Sequence, residues 1–149
     1  MLIVRSGVDT VCMDRREGSF PVRTLTQHVG TRRPLGVGAG SLAILSALAP
    51  AIAERTIEVN KTRFSQYNGL TVEMLSAMVR QTRESGYAHT KGEVLPDVGA
   101  IGWAIKNTQG DPIAALNVAT TVNRLTPERV REMLKHLKSE AAIIEKQLN

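Results

Sequence analysis

The sequence predicts an α+β domain in which a mostly antiparallel sheet is packed against helices. Strand-like segments occur in neighbouring pairs joined by turn residues, and they do not alternate regularly with helices as they would in a parallel sheet. Three helical segments have clear start or stop signals. The 149 residues, 42% of them hydrophobic, suit one core and are too few for two complete domains.

The first half of the chain opens with a predicted hairpin. Residues 2–5 and 10–14 are rich in β-branched and apolar side chains, and they flank Gly7, which can adopt a positive φ. Residues 20–29 form a predicted third extended segment, whose mixture of polar and apolar side chains indicates one face in water. Four glycines and a proline within residues 30–40 then predict a loop without regular structure before Ser41.

Two helices and three strands follow this loop. Residues 41–49 are apolar on every side and predict a short buried helix that ends near Pro50. An amphipathic helix is predicted between an N-cap at Thr71 and a left-handed residue at Gly86. Residues 87–91 predict a strand, and residues 98–105 and 113–121 predict an antiparallel pair around a turn at 107–111.

The last predicted helix begins after Thr126, with Pro127 at its first helical position. Its apolar residues recur at spacings of three and four as far as Leu148 and form one seam. Because this repeat is short, packing against the domain's own sheet is favoured over a coiled coil.

Composition narrows the function classes. The net charge of +5 suits an acidic partner, but aromatic residues are only 3% of the chain and offer little on which unpaired bases could stack. No apolar run is long enough to cross a membrane, and residues 1–9 lack the pattern of a signal peptide. The single cysteine, Cys12, excludes an intramolecular disulfide. We therefore expect a cytoplasmic protein without a membrane partner.

Motifs for catalysis, metals and cofactors are weak. The three histidines are widely separated and lack metal-ligand spacing, so no metal or other cofactor is predicted. Ser41 follows glycines but does not complete Gly-x-Ser-x-Gly, and Cys12 lies in a predicted strand as a buried thiol. A hydrolase using either residue is the weakest hypothesis, and we expect no enzyme. The glycines before Ser41 could expose helix amides to an anion, although close packing of helix on sheet is the favoured explanation from these residues alone.

Several segments in one order and spacing resemble the effector-binding domain of the isocitrate lyase regulator (IclR) family of bacterial transcription regulators. The resemblance runs through almost the whole chain and is more specific than any single motif. The segments that carry it are DTVCMDRR from Asp9, VGTRRPLGVGAGS from Val29, RESGY from Arg83, GE from Gly92 with VGAI from Val98, AALNV from Ala114 and NRL from Asn123.

The resemblance implies a GAF-like domain over residues 1–149, in which an antiparallel sheet cups a small-molecule site. It also implies a homodimer or homotetramer whose operator DNA is read by an N-terminal winged helix-turn-helix domain. That domain is expected to be absent from this chain, which begins at the first strand and is interpreted as N-terminally truncated. Transcription regulation would then depend on ligand binding here.

The resemblance also implies the residues of an effector site. By position they are Val22, Leu25, Ala39, Gly40, Thr90, Ala100, Asn117 and Ala119. Most are small or apolar, which suits a small organic acid with an apolar or aromatic body. No fixed cation is expected among them, so backbone amides and the helix dipole would hold the carboxylate.

Two departures from the family pattern leave an alternative open. Gly36 stands where the family often has histidine, and Ser41-Leu42 follows Gly40 where the family often has lysine. A vestigial pocket in a pure oligomerisation domain is therefore the second hypothesis, with plain core packing as the role of the apolar site residues.

Overall fold

The computed structural model describes residues 1–19 and 27–148, which contain one six-stranded antiparallel sheet. The strand order is β3-β2-β1-β6-β5-β4, and the predicted α+β class with an antiparallel sheet is confirmed. The strands are β1 (Leu2–Ser6), β2 (Asp9–Asp14), β3 (Arg32–Pro34), β4 (Ala88–Lys91), β5 (Val98–Lys106) and β6 (Pro112–Thr121). The helices are α1 (Ala39–Ala47), α2 (Pro50–Asn60), α3 (Val72–Ser85) and α4 (Pro127–Gln147), with short 3-10 turns at Lys61–Gln66 and Val122–Arg124.

The predicted hairpins form the two halves of the sheet. Strands β1 and β2 pair antiparallel around Gly7, which has a φ of 65°, as the turn requires. Strands β5 and β6 pair over nearly their whole length, and β1 joins β6 to complete the sheet. Both hairpins agree with the sequence prediction to within two residues at each end.

The buried helix α1 lies between the sheet and α3. Eight of its nine residues are buried, as its uniformly apolar sequence predicts. Its first turn rests directly on β5, because a Cβ on Gly102 would lie only 2.4 Å from the carbonyl oxygen of Ala39. The glycine therefore permits a contact between backbone and backbone that no other residue type would allow.

The predicted loop over residues 30–40 contains a strand, which corrects that prediction. Strand β3 adds to the edge of β2, with Thr10 opposite Arg33, and helix α1 begins at Ala39 rather than at Ser41. Pro34 is tolerated because it ends an edge strand. The predicted extended segment over 20–29 lies mostly outside the described residues, and the part that is described, 27–29, forms no strand.

Pro50 begins a helix instead of only ending one. Helix α1 ends at Ala47, and α2 follows with Pro50 in its first turn, where the missing N–H costs no hydrogen bond. Ala53, Ile57 and Asn60 are buried on one side of α2. The sequence pattern does not predict this helix, because a proline is read there only as the end of α1.

The two capped helices agree with their sequence signals. Thr71 accepts a hydrogen bond from the amide of Met74, and Gly86 ends α3 in the left-handed conformation. Thr126 caps α4, whose buried seam packs on the sheet face opposite α1, as expected. None of the helices in the described part of the chain is both long enough and apolar enough to cross a membrane.

The Cys12 thiol is fully buried in β2, and burial raises its pKa. Because the thiolate is the reactive form, we expect Ellman's reagent to label the native protein only as fast as it unfolds. Urea should expose the thiol and give rapid, complete labelling. As the chain has one cysteine, the absorbance reports this residue alone. Rapid labelling of the native protein would contradict the buried position.

Candidate functional site

A cavity lies where the first turn of α1 meets the sheet, and we call it the α1 cavity. Its empty volume is about 450 Å³, including the open mouth. It is therefore suited to a compact ligand.

Six of the eight sequence-predicted site residues line the α1 cavity. They come from α1, β4, β5 and β6, and they are Ala39, Gly40, Thr90, Ala100, Asn117 and Ala119. The other two, Val22 and Leu25, lie outside the described residues.

Strand register explains why these distant positions converge. Thr90 on β4 pairs with Ala100 on β5, which pairs with Ala119 on β6, so the three form one row across the sheet. Asn117 is two residues from Ala119 and therefore points to the same face. Its partner across the strands is Gly102, on which α1 rests.

The remaining walls come largely from apolar residues that are not among the eight predicted site residues. Val37 precedes α1, Val94 and Leu95 belong to the loop between β4 and β5, and Ile3 and Val98 belong to strands. The loop was recognised from the sequence, but nothing in its composition shows that it folds over the cavity.

Asn117 carries an unused hydrogen-bonding group into the α1 cavity. The residue is only 5% exposed, and its Oδ1 atom is buried without a hydrogen-bond partner. The backbone N–H and C=O of Asn117 are both paired with Met1, so the buried atom without a partner is the side-chain oxygen Oδ1. A buried unsatisfied polar atom costs about 1–3 kcal/mol, which a ligand could recover.

The α1 entrance offers backbone donors. Its N-cap, Gly38, has a φ of 94° and supplies no side-chain hydrogen bond, and no acidic residue lies in the first turn. The first amides of a helix have no acceptor within the helix and form the positive end of its dipole. This end of α1 is open to the cavity through Gly38, Ala39 and Gly40.

Arg33 adds a fixed positive charge, which corrects the expectation that none is present. Its guanidinium lies 5.8 Å from the ring centre of Tyr67, and its Nη1 atom lies 3.6 Å from the place where a Cβ on Gly38 would be. Burial lowers the pKa of Arg33, but a guanidinium stays protonated in proteins. Arg33 could not be placed from the sequence, because the glycine-rich pattern predicts a loop where β3 lies.

Ser41 is fully occupied by hydrogen bonds within the fold. Its Oγ atom accepts from the amide of Gly36 at 2.8 Å and from the hydroxyl of Thr10 at 3.0 Å. It donates to the carbonyl of Pro34 at 3.4 Å. These contacts fasten β3 and α1 to β2 and give Ser41 a structural role. None of its hydrogen-bond partners among the described residues is a base of the kind that a nucleophilic serine requires. Within residues 1–19 and 27–148, no cluster of metal-ligating side chains occurs.

A second cavity adjoins the first, and we call it the basic cavity. It shares Met1, Asn117 and Ala119 with the α1 cavity, and its remaining lining is more polar. Its described lining includes one glutamate, Glu17, and four arginines, namely Arg15, Arg16, Arg124 and Arg129.

Comparison with known proteins relates this fold and site to a family. The chain matches the family model described as the bacterial transcriptional regulator IclR C-terminal over residues 1–146. Similar sequences include the HTH-type transcriptional repressor AllR of Klebsiella pneumoniae, 24% identical over 85% of this chain and 46% of the relative. The HTH-type transcriptional regulator KipR of Bacillus subtilis is 27% identical over 99% of this chain and 59% of its own length.

Solved structures share the fold. The Thermotoga maritima IclR superposes with a TM-score of 0.87 at 22% identity, covering 99% of this chain and 60% of that one. An IclR homologue from Microbacterium hydrocarbonoxydans, complexed with 4-hydroxybenzoate, gives a TM-score of 0.77 at 21% identity, covering 99% and 59%. The chain thus spans about half the length of the relatives it matches. It belongs to the family of C-terminal domains of IclR bacterial transcriptional regulators.

Proposed function

We propose that this domain binds a small organic acid in the α1 cavity and that binding controls DNA recognition by a winged helix domain of the same regulator. The observation that carries the proposal is the α1 cavity itself, where apolar walls meet the open helix entrance, Arg33 and the unpaired Oδ1 atom of Asn117. The names of the relatives support a DNA-binding regulator, and the 4-hydroxybenzoate bound to one structural neighbour supports an organic acid.

Strand β6 lies between the α1 cavity and the layer that contains α4, and we propose that it couples ligand binding to assembly. Asn117 and Ala119 face the cavity, whereas Leu116 and Val118 contact the apolar cluster beneath α4. A ligand that shifts β6 would therefore shift the packing of α4. For this coupling to be allosteric, the ligand must bind one arrangement more tightly than the other.

A titration with small organic acids tests the binding step. We expect 4-hydroxybenzoate or a more compact acid to raise the melting temperature of this chain and to give a saturable calorimetric signal. Ala119→Leu should fill the cavity and weaken binding by about tenfold or more. Ala51→Leu places the same side chain on an exposed position of α2 and should leave binding unchanged. If no acid binds, or if both variants behave alike, the proposed site is wrong.

The open α1 cavity supports ligand binding over the alternative of a vestigial pocket.

We also propose that this domain associates into a homodimer or homotetramer. An apolar groove beside the end of α4, lined by Leu2, Val4, Ile113, Ile144 and Leu148, favours association. Light scattering after size exclusion should give the mass of a dimer or tetramer, and a monomer at all concentrations would contradict this part.

A further inference from the structure

We infer that the basic cavity is a second binding site, which takes a small molecule that carries a phosphate group. The inference goes beyond the organic acid proposed for the α1 cavity, because it depends on a different set of charged side chains. The basic cavity is also the larger of the two, with an empty volume of about 1040 Å³ including its open mouth. It can therefore admit a ligand of the size of a metabolite.

The arginines of the basic cavity come from three parts of the fold. Arg15 and Arg16 follow the end of β2, Arg124 ends the 3-10 turn after β6, and Arg129 lies in the first turn of α4. The oxygens of a phosphate group point in different directions and can accept from arginines on separate elements, whereas the two oxygens of a carboxylate lie in one plane. The arrangement therefore favours a phosphate over a carboxylate.

Positive charge remains in the basic cavity after its ion pairs are counted. The carboxylates of Glu17 and Asp14 pair with Arg15 and Arg16, at 3.0 Å and 3.5 Å. Glu17 is the one acidic residue of the described lining, so the other two arginines add charge that no lining carboxylate offsets. Residues 20–26, which the structure does not describe, contain no Asp or Glu in the sequence. The cavity is therefore suited to an anion with more than one negative charge.

The position of Arg129 is unfavourable unless an anion is bound beside it. Arg129 is the third residue of α4, where the positive end of the helix dipole disfavours a cation. Glu128, the acidic residue of the same turn, pairs instead with Arg131, at 3.6 Å. Within the described part of the chain, the guanidinium of Arg129 has no hydrogen bond or ion pair. A bound phosphate would relieve this repulsion and accept hydrogen bonds from Arg129.

The other arginines support the site without leaving the contacts that they already have. Arg15 donates to the carbonyl of Gln27 at 2.8 Å, and Arg124 lies 3.4 Å from the hydroxyl of Thr120. These contacts hold the two arginines in the wall, where they contribute charge. Direct contact with the ligand is therefore assigned to Arg129, which is exposed to solvent at the rim.

The shape of the basic cavity favours a small molecule over DNA. Its walls are formed by the end of β6, the start of α4 and the segment after β2, which enclose a concave space. A single phosphate group can enter such a space. The phosphates of a duplex lie along a stiff, convex backbone, which arginines on a protruding surface would contact more easily.

Calorimetry with pyrophosphate and malonate on the intact chain tests this inference. Each probe carries two anionic groups joined through one atom, so the comparison is between phosphate and carboxylate. In about 0.15 M salt we expect pyrophosphate to bind about tenfold more tightly than malonate. Equal affinities would overturn the preference for phosphate, and failure of pyrophosphate to bind would overturn the site. A short DNA duplex that binds more tightly than pyrophosphate and displaces it would overturn the choice of a small molecule.

Two variants of α4 locate the binding. Arg129→Gln should weaken pyrophosphate by about tenfold or more. Arg131→Gln is the matched control, because it removes the same charge from the same helix at a residue outside the basic cavity, and it should leave the affinity within about twofold. Equal effects of the two variants would show that only net charge matters and would overturn the site.

Melting temperatures without ligand separate binding from folding. Arg129→Gln should melt at the same temperature as the unaltered chain or slightly higher, since it removes a cation from the positive end of α4. A large fall in its melting temperature would overturn the assignment of Arg129 to a ligand, because the residue would then have a structural role. The titrations contain no organic acid, so their outcome does not depend on the function proposed for the α1 cavity.

Discussion

Gly102→Ala is expected to destabilise the domain by about 3 kcal/mol or more, because the added methyl group would collide with the backbone of Ala39 and Gly40. Backbone atoms cannot turn aside as a flexible side chain can, so either α1 must lift from β5 or the sheet must bend. Urea unfolding followed by circular dichroism measures the loss. The same displacement would disturb the α1 entrance, so acid binding should weaken as well.

Gly18→Ala is the matched control for this substitution. A Cβ at Gly18 meets nothing within 4 Å, and its φ is not positive. We expect its free energy of unfolding to stay within about 0.5 kcal/mol of the unaltered chain. If Gly102→Ala also left the free energy of unfolding unchanged, the close contact between α1 and β5 would be refuted.

Ser41→Ala should cost about 3 kcal/mol of stability, the second largest effect expected. The substitution removes the acceptor for the Gly36 amide and for the hydroxyl of Thr10, and both donors lie in the buried interior. Each unsatisfied buried donor costs about 1–3 kcal/mol. Thermal and urea unfolding of the variant measure the change in the free energy of unfolding. We expect the attachment of β3 to α1 to weaken as well.

Ser46→Ala is the control from the same helix. Ser46 is also buried, but its Oγ atom has no hydrogen-bond partner. Removing this hydroxyl eliminates an unsatisfied group, so stability should be unchanged or rise by up to about 1 kcal/mol. A comparable loss in both serine variants would show that burial of the side chain, and not the hydrogen bonds of Ser41, is responsible.

Elements with local signals could be predicted from the sequence. The Thr71 and Thr126 caps, the Gly86 terminus and the turn at Gly7 act through neighbouring atoms, so their sequence patterns suffice. Strand β3 could not be predicted, because its three residues become a strand only when β2 offers them an edge. Pro50 was ambiguous, since proline both ends one helix and begins the next.

The site could be predicted only in part for a related reason. The resemblance to a family placed Asn117, Thr90 and Ala119 by position, and the register of β4, β5 and β6 brings them together. Arg33 was not predicted as a site residue. Its side chain reaches the cavity from β3, and the glycine-rich sequence there predicts a loop and not a strand. The unsatisfied state of Asn117 likewise depends on distant neighbours that no local pattern reveals.

The alternation of side chains along β6 has an evolutionary consequence. Residues 117 and 119 face the cavity, while residues 116 and 118 face α4, so a single strand separates the ligand from the opposite layer. Mutations at residues 117 and 119 can alter the lining of the cavity without changing the contacts that residues 116 and 118 make with α4. The shape of the cavity can thus diverge between descendants of one ancestor while the packing of α4 on the sheet is inherited intact.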